Sequence, residues 1–120
     1  MENGLKEILV IDLAISLLIV LFYFFPPKEL NSIYGYRTKR STKDQKSWNF
    51  AQKHSSQIMI YIPFFVIFSQ ILMILSGADV QEDFSFIINI SISIYIIGFI
   101  ACFISTESAL KKKQENPDEN

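Results

Sequence analysis

The sequence predicts an all-α membrane protein with three transmembrane helices and a cytoplasmic amphipathic helix in the loop between the first two. Three observations favour this fold class: three long hydrophobic blocks, the near absence of charge inside them, and the grouping of basic residues between and after them. Half of the 120 residues are hydrophobic. Because most of these residues lie in the blocks, too little of the chain remains to build the core of a soluble domain.

Each hydrophobic block has the length of a membrane span. The blocks comprise residues 8–25, 58–75 and 84–105. A helix rises about 1.5 Å per residue, so each block spans roughly 27 to 33 Å, which matches the ~30 Å hydrocarbon core of a bilayer. No block contains lysine or arginine, and Asp12 is the one acidic residue within them. We therefore predict three transmembrane helices.

The basic residues predict the orientation. Seven of the eleven lie in the first loop, residues 26–57, and three follow the third block at positions 111–113. Lys6 alone precedes the first block, and the second loop, SGADVQED, carries three acids and no base. The positive-inside rule places the first loop and the C-terminus in the cytoplasm and the N-terminus outside. We predict a multi-pass plasma-membrane protein with one domain, residues 1–110, and a polar cytoplasmic tail, residues 111–120.

Three polar residues lie at similar depth in the predicted spans. Asp12, Gln70 and Asn89 are each about 6 to 8 Å below the outer surface, from their distance to the ends of the blocks. Polar groups are costly in lipid and normally face partners, so we expect an intramembrane polar cluster. Either it provides only contacts between helices, worth roughly 0.6 to 2 kcal/mol each, or it is a functional polar site.

The third block carries a stripe of mostly small residues on one helix face. The stripe consists of Ser91, Tyr95, Gly98, Cys102 and Ser105, at spacings of three and four. Small side chains let a neighbouring helix approach closely, so we predict that this face packs against another helix. Cys102 is the single cysteine, which excludes an intramolecular disulfide.

The first loop contains a predicted helix. Pro26 and Pro27 end the first span. Either Ser41 or Thr42 begins a capping-box pattern, so we expect a helix to start there and to continue through DQKSWNFAQKHSS into the second span. Tryptophan and lysine beside a span are typical of the headgroup layer, so the lipid bilayer with its anionic headgroups is the expected partner of this helix, with Trp48 fixing it at the interface.

The sequence contains no motif for metal, cofactor or nucleic-acid binding. His54 is the only histidine and lies near no cysteine or carboxylate set with the spacing of metal ligands. GxSxG, HExxH, CxxC and glycine-rich phosphate loops are all absent. We therefore expect no metal, no cofactor and no nucleic-acid partner.

The stretch GYRTKRSTKDQKSWNFAQKHSS resembles the first loop of the SdpI family of small bacterial membrane proteins. The family pattern has a Gly-x-Arg-Thr core, then Ser or Thr, then a helix with Trp and an Ala-Asn pair. The matching residues are Gly35, Arg37, Thr38, Ser41, Trp48 and Ala51. Gln52 stands where the pattern has Asn, and Ser56 where it has Gly.

This resemblance implies a function in immunity to a secreted, membrane-active toxic peptide, or in signalling about one. The toxin or a cytoplasmic regulator would be the partner, and the family's longer architecture implies that a three-helix member forms a homodimer. The recognition residues would be Gly35, Arg37, Thr38, Ser41, Trp48 and Gln52. Arg37 is the leading candidate because its guanidinium can bind a carboxylate or phosphate bidentately, and Glu107 is its expected partner.

Two alternatives remain open at the level of sequence. The first is a membrane-embedded enzyme that uses Arg37, His54 and Glu107 on lipid or phosphate groups, although no catalytic residue is assigned by any motif. The second is a passive subunit of a larger membrane complex. An enzyme requires His54 and Glu107 to converge on one pocket, whereas an immunity protein requires only the fold and a recognition surface.

Overall fold

The computed structural model describes residues 2–116, and within that range the chain forms four α-helices and no strand. The helices are α1 (Glu2–Phe24), α2 (Gln45–Met59), α3 (Ile62–Leu75) and α4 (Phe84–Glu115). Since α2 and α3 are nearly continuous, the helices form three segments long and apolar enough to cross a membrane: Asn3–Phe24, Gln45–Leu75 and Phe84–Glu115. The predicted all-α fold, with three helices long and apolar enough to span a membrane, is confirmed.

A single turn joins α2 to α3. The Ile60 amide donates to the Ser56 carbonyl, four residues earlier, at 3.1 Å. The Tyr61 amide donates to the Ile58 carbonyl, only three residues earlier, at 3.2 Å, so the helix narrows to a 3₁₀ turn at Tyr61. Pro63 lies in the first turn of α3, where its missing N–H costs no helical hydrogen bond. The polar helix of the loop therefore continues into the second span, as predicted.

The two longer helical segments exceed the thickness of the hydrocarbon core. Gln45–Leu75 has 31 residues and Phe84–Glu115 has 32, which corresponds to about 46 and 48 Å against a core of ~30 Å. Their polar ends lie side by side because α2 packs on α4. We call this polar extension, built from residues 25–57 and 105–116, the loop end of the molecule.

The stripe on the third span packs as predicted, except at its last member. Tyr95 is buried against Ile62 and Val66 of α3, and Ser91 and Cys102 are also buried. A Cβ at Gly98 would lie 2.9 Å from Ile62 Cγ1, so the absence of a side chain lets α3 approach α4 closely. Ser105 is exposed.

Helix boundaries at the loop end differ from the predicted ones. Asp44 is the N-cap of α2 and accepts from the Ser47 amide at 2.7 Å, so the helix begins after Asp44 and not at Ser41 or Thr42. At the other end of the chain α4 continues to Glu115, so the first half of the predicted tail is helical. Asn116 follows the end of α4, and the last four residues of that tail, 117–120, lie outside the described residues, as does residue 1.

Candidate functional site in the first loop

Trp48 holds the start of the loop against α2. Its ring is fully buried, and its Nε1–H donates to the Pro27 carbonyl at 3.0 Å. On the same face of α2, Ala51, Gln52 and Ser55 are buried beside Trp48. This face packs inside the protein. Trp48 was expected to fix the helix in the headgroup layer, but it instead stabilises the contact between the loop and α2 inside the protein.

Gln52 binds the middle of the loop through both ends of its amide. Its Oε1 accepts from the Tyr36 amide at 2.7 Å, and its Nε2 donates to the Tyr36 carbonyl at 2.8 Å. The side chain thereby satisfies both polar backbone groups of one residue, as a neighbouring strand would. Gln52 is 2% exposed, so these two hydrogen bonds are shielded from water.

Gly35 is required by the path of the backbone at this point. Its φ of +109° is a conformation that L side chains rarely adopt. In addition, a Cβ at this position would lie 2.6 Å from Pro27 Cγ and 2.7 Å from Gln52 Oε1. Glycine therefore allows both the turn and the close approach of the loop to α2.

Thr38 and Ser41 close a compact turn after Arg37. The Ser41 hydroxyl accepts from the Thr38 amide at 2.7 Å, and the Thr38 hydroxyl accepts from the Ser41 amide at 3.2 Å. Ser41 is fully buried, and its hydroxyl also lies 3.2 Å from the Tyr36 carbonyl, to which it can donate. The two hydroxyl residues of the family-like motif thus determine the shape of the turn.

The turn separates Arg37 from Glu107. Arg37 is exposed, and among the described residues its guanidinium has one hydrogen-bond partner, the Asn31 carbonyl, at 3.0 Å from Nε. Glu107 instead lies 3.5 Å from Arg40 Nε and accepts from the Tyr36 hydroxyl at 2.8 Å. The expected pairing of Arg37 with Glu107 is therefore wrong, because the turn directs Arg40 toward α4 and Arg37 away from it.

Tyr36 links the loop to α4 as a hydrogen-bond donor. Burial, followed by the hydrogen bond to Glu107 and the charge of that carboxylate, raises the pKa of the Tyr36 hydroxyl above its ordinary value. The phenol therefore stays protonated and keeps donating at all physiological pH values.

Gln114, near the end of α4, completes the attachment of the loop. Its Nε2 donates to the Arg40 carbonyl at 2.9 Å and to the Ser47 hydroxyl at 3.0 Å. The sequence pattern predicts no function for Gln114, Tyr36 or Arg40. Tyr36 could have been noticed beside Gly35, whereas Gln114, in a polar run after three lysines, gives no signal.

His54 lies apart from Arg37 and Glu107. Its Nε2 is 3.2 Å from the Ser105 hydroxyl, and its ring stacks on Phe50 with centroids 5.3 Å apart. The three residues required by the enzyme hypothesis therefore have separate partners. Among the described residues no group of three or more His, Cys, Asp and Glu side chains could hold a metal ion.

The intramembrane polar residues form two separate pairs. Tyr95 of α4 donates to Asp12 Oδ1 at 3.1 Å, and Gln70 Nε2 donates to the Ser91 hydroxyl at 2.9 Å. Asp12 and Gln70 also line one largely apolar cavity of about 470 Å³ between α1 and α3. Asn89 is exposed on another face of α4, so the structure does not bring it together with the other two.

Comparisons with known proteins agree with the membrane-protein fold and the position of the motif. The family model of the SdpI/YfhL protein family matches residues 28–106, which includes the first loop from Lys28 onward. The uncharacterized protein YfhL of Bacillus subtilis (strain 168) is 54% identical over 41 residues, which is 34% of this chain and 37% of that protein. The match thus spans little more than a third of this relative. No solved structure matches. A family match over most of the chain identifies this three-span membrane protein as a member of the SdpI/YfhL family.

Proposed function

We propose that this protein protects a bacterial membrane against a membrane-active toxic peptide, with the first loop as its recognition surface. Family membership supports the proposal, because the resemblance to the SdpI family implies such immunity. We further propose that the loop end lies in the cytoplasm, since ten of the eleven basic residues lie in the first loop and after the third hydrophobic block.

The main observation behind the proposal is that Arg37 is exposed on a loop that is held in place by hydrogen bonds. Trp48, Gln52 and Gln114 hold the loop through buried or half-buried hydrogen bonds. Such a loop is preorganised, so little conformational entropy is lost when a partner binds it. Arg37 nevertheless extends outward, and only its Nε is bonded within the described residues. The two terminal nitrogens can therefore bind a carboxylate or phosphate group side by side.

The alternative enzyme hypothesis receives no comparable support. Arg37, His54 and Glu107 each contact different partners, and Glu107 is already bound by Tyr36 and Arg40. A recognition surface requires only that Arg37 stay accessible on a fixed loop, which the described contacts provide.

A conservative substitution tests the proposal. Arg37→Lys keeps the charge but cannot reproduce the bidentate contact, and loss of a charge-assisted hydrogen bond costs about 1.5 to 3 kcal/mol. We expect cells carrying Arg37→Lys to lose protection by about tenfold or more. Survival is measured during challenge with purified secreted membrane-active peptides, at matched protein levels and beside cells that lack the gene.

Arg40→Lys is the matched control in the same loop. Its contact with Glu107 is 3.5 Å long and its side chain is 42% exposed, so this ion pair contributes at most about 1 kcal/mol. Protection should remain near the wild-type level. Equal tolerance of both substitutions would exclude Arg37 as the recognition residue, and equal survival with and without the gene would contradict the immunity function.

A further inference from the structure

A basic cavity lies at the loop end, on the side of α2 that the preceding part of the first loop does not cover. Its volume is about 440 Å³, and Lys46 and Lys53 of α2 and Lys113 of α4 contribute its charge. The other lining residues are Asn49, Phe50, His54 and Gln57, so no acidic side chain offsets the lysines. The potential inside it is therefore positive, and an anion is the preferred occupant.

An aromatic pair fixes one cation over the cavity. Lys113 Nζ lies 4.4 Å from the centre of the Phe50 ring, and Phe50 also stacks on the ring of His54. A cation over an aromatic face is stabilised by the negative charge density of the ring. Lys113, on a different helix from the other two lysines, is thereby held close to α2.

An apolar groove adjoins the basic cavity. The neighbouring cavity, of about 740 Å³, shares His54 and Gln57 with it and continues past Ile58, Ile62 and Ala101. A further apolar cavity of about 410 Å³ shares Ile62 and Gly98 with the second and reaches Leu72. From His54 to Leu72 the helix rises about 27 Å, close to the ~30 Å thickness of the hydrocarbon core.

The lining of the groove changes from basic to apolar at the level where a membrane surface would lie. Ile58 begins the apolar run of the second span, so Lys53, His54 and Gln57 stand within about 8 Å of the hydrocarbon edge along the helix. Tyr23 and Tyr61 line the groove at that level, and tyrosine is enriched at membrane interfaces. An occupant of the whole groove must therefore combine an anionic group at the interface with a long apolar chain.

We propose that this groove binds an anionic phospholipid, with its phosphate among Lys46, Lys53 and Lys113 and an acyl chain along α3 and α4. A zwitterionic lipid fits less well, because no lining carboxylate is present to pair with its ammonium group. Inorganic phosphate lacks the chain that would occupy the apolar part. Arg37 does not line the groove, so this lipid site is independent of the proposed toxin recognition.

Native mass spectrometry of the detergent-solubilised protein tests the headgroup part of the site. The protein is titrated with dioleoyl phosphatidylglycerol or dioleoyl phosphatidylcholine. The triple variant Lys46→Gln, Lys53→Gln, Lys113→Gln should bind phosphatidylglycerol about tenfold more weakly or worse, since each lysine near a headgroup contributes to anionic-lipid binding. The control variant Lys28→Gln, Lys39→Gln, Lys112→Gln removes the same charge from exposed sites outside the groove and should retain wild-type affinity.

A second pair of variants tests the chain-binding part without changing charge. Ala101→Phe places a large ring in the apolar groove and should weaken phosphatidylglycerol binding, whereas Ala14→Phe, at an exposed position of α1 that lines none of the three cavities, should not. Thermal unfolding in detergent shows whether each variant is folded.

Four other outcomes of these experiments would overturn the proposal. Equal affinity for the two lipids would exclude selection by charge, and equal losses in the two lysine variants would indicate a general electrostatic effect. Full competition by inorganic phosphate at equal concentration would identify an anion site without a lipid chain. Unchanged binding by Ala101→Phe would exclude the groove as the site of the acyl chain.

Discussion

Gly35 and Gly77 have almost the same backbone conformation but different surroundings. Their φ angles are +109° and +110°. A Cβ at Gly35 would collide with Pro27 and Gln52, whereas a Cβ at Gly77 would have no neighbour within 4 Å. The two residues therefore allow the strain of the backbone to be separated from the cost of steric overlap.

We predict that alanine substitution destabilises the protein more at Gly35 than at Gly77. Gly77→Ala should cost about 1 to 2 kcal/mol from backbone strain. Gly35→Ala should cost about 1 to 3 kcal/mol more, because the added methyl group also overpacks the contact between the loop and α2. Thermal unfolding of both variants in the same detergent measures the difference. Equal destabilisation would indicate that the loop moves away from α2 at little cost.

The residues of the first loop could be identified from the sequence more readily than their partners. Gly35, Ser41, Trp48 and Gln52 were all selected from the motif, and each has a definite structural function. Their partners are mainly backbone groups, whose positions depend on the path of the loop and leave no sequence signature. The same limit explains why Arg37, rather than Arg40, was expected to pair with Glu107.

Helical structure extends beyond the hydrophobic blocks at the loop end of both longer segments. The second segment begins at Gln45, before the second block, and α4 continues about ten residues beyond the third. Hydrophobicity ends near Ser105, but the following segment, TESALKKKQE, is rich in Ala, Leu, Glu, Lys and Gln, which favour helix strongly. The hydrophobic pattern locates the membrane part of a helix, and the helix propensity of the next residues decides where the helix ends.

The position of Asn89 shows that depth alone does not predict a contact between helices. Asn89 is two residues from Ile87 and two from Ser91, both of which are buried. Two residues correspond to about 200° around a helix, so Asn89 points away from the face that Ile87 and Ser91 share. Residues at equal depth meet only if their side chains also point toward each other, and the depth of Asn89 does not reveal its direction.

A double-mutant cycle should separate the true polar contact from the apparent one. Gln70→Leu and Ser91→Ala remove the two partners of one hydrogen bond, so their effects should be non-additive by about 0.6 to 2 kcal/mol. Gln70→Leu and Asn89→Leu should instead be additive within about 0.3 to 0.5 kcal/mol, because the side chains do not touch. Unfolding in detergent provides both free-energy differences. Additivity in the first pair would contradict the hydrogen bond between Gln70 and Ser91.

At the scale of the molecule, the orientation in the membrane can be tested by cysteine labelling. With Cys102 replaced, a cysteine at Asn3 or Ala78 should react with an impermeant thiol reagent added outside the cell, and one at Lys43 should not. Lys43 is suitable because it is exposed at the loop end, so lack of reaction reports its side of the membrane. Labelling at Lys43 alone would reverse the proposed topology, which rests on the distribution of basic residues.

Because α4 is one uninterrupted helix, a small tilt of it produces a large displacement at its end. About 24 Å of helix separates Gly98, where α4 lies close to Ile62 of α3, from Gln114. With Gly98 as the pivot, a tilt of only ~5° would displace Gln114 by about 2 Å over that length. Gln114 holds the Arg40 carbonyl and the Ser47 hydroxyl at 2.9 and 3.0 Å, and a displacement of about 2 Å breaks hydrogen bonds of that length. A small tilt of the third span would therefore release the Arg40 side of the first loop from the end of α4.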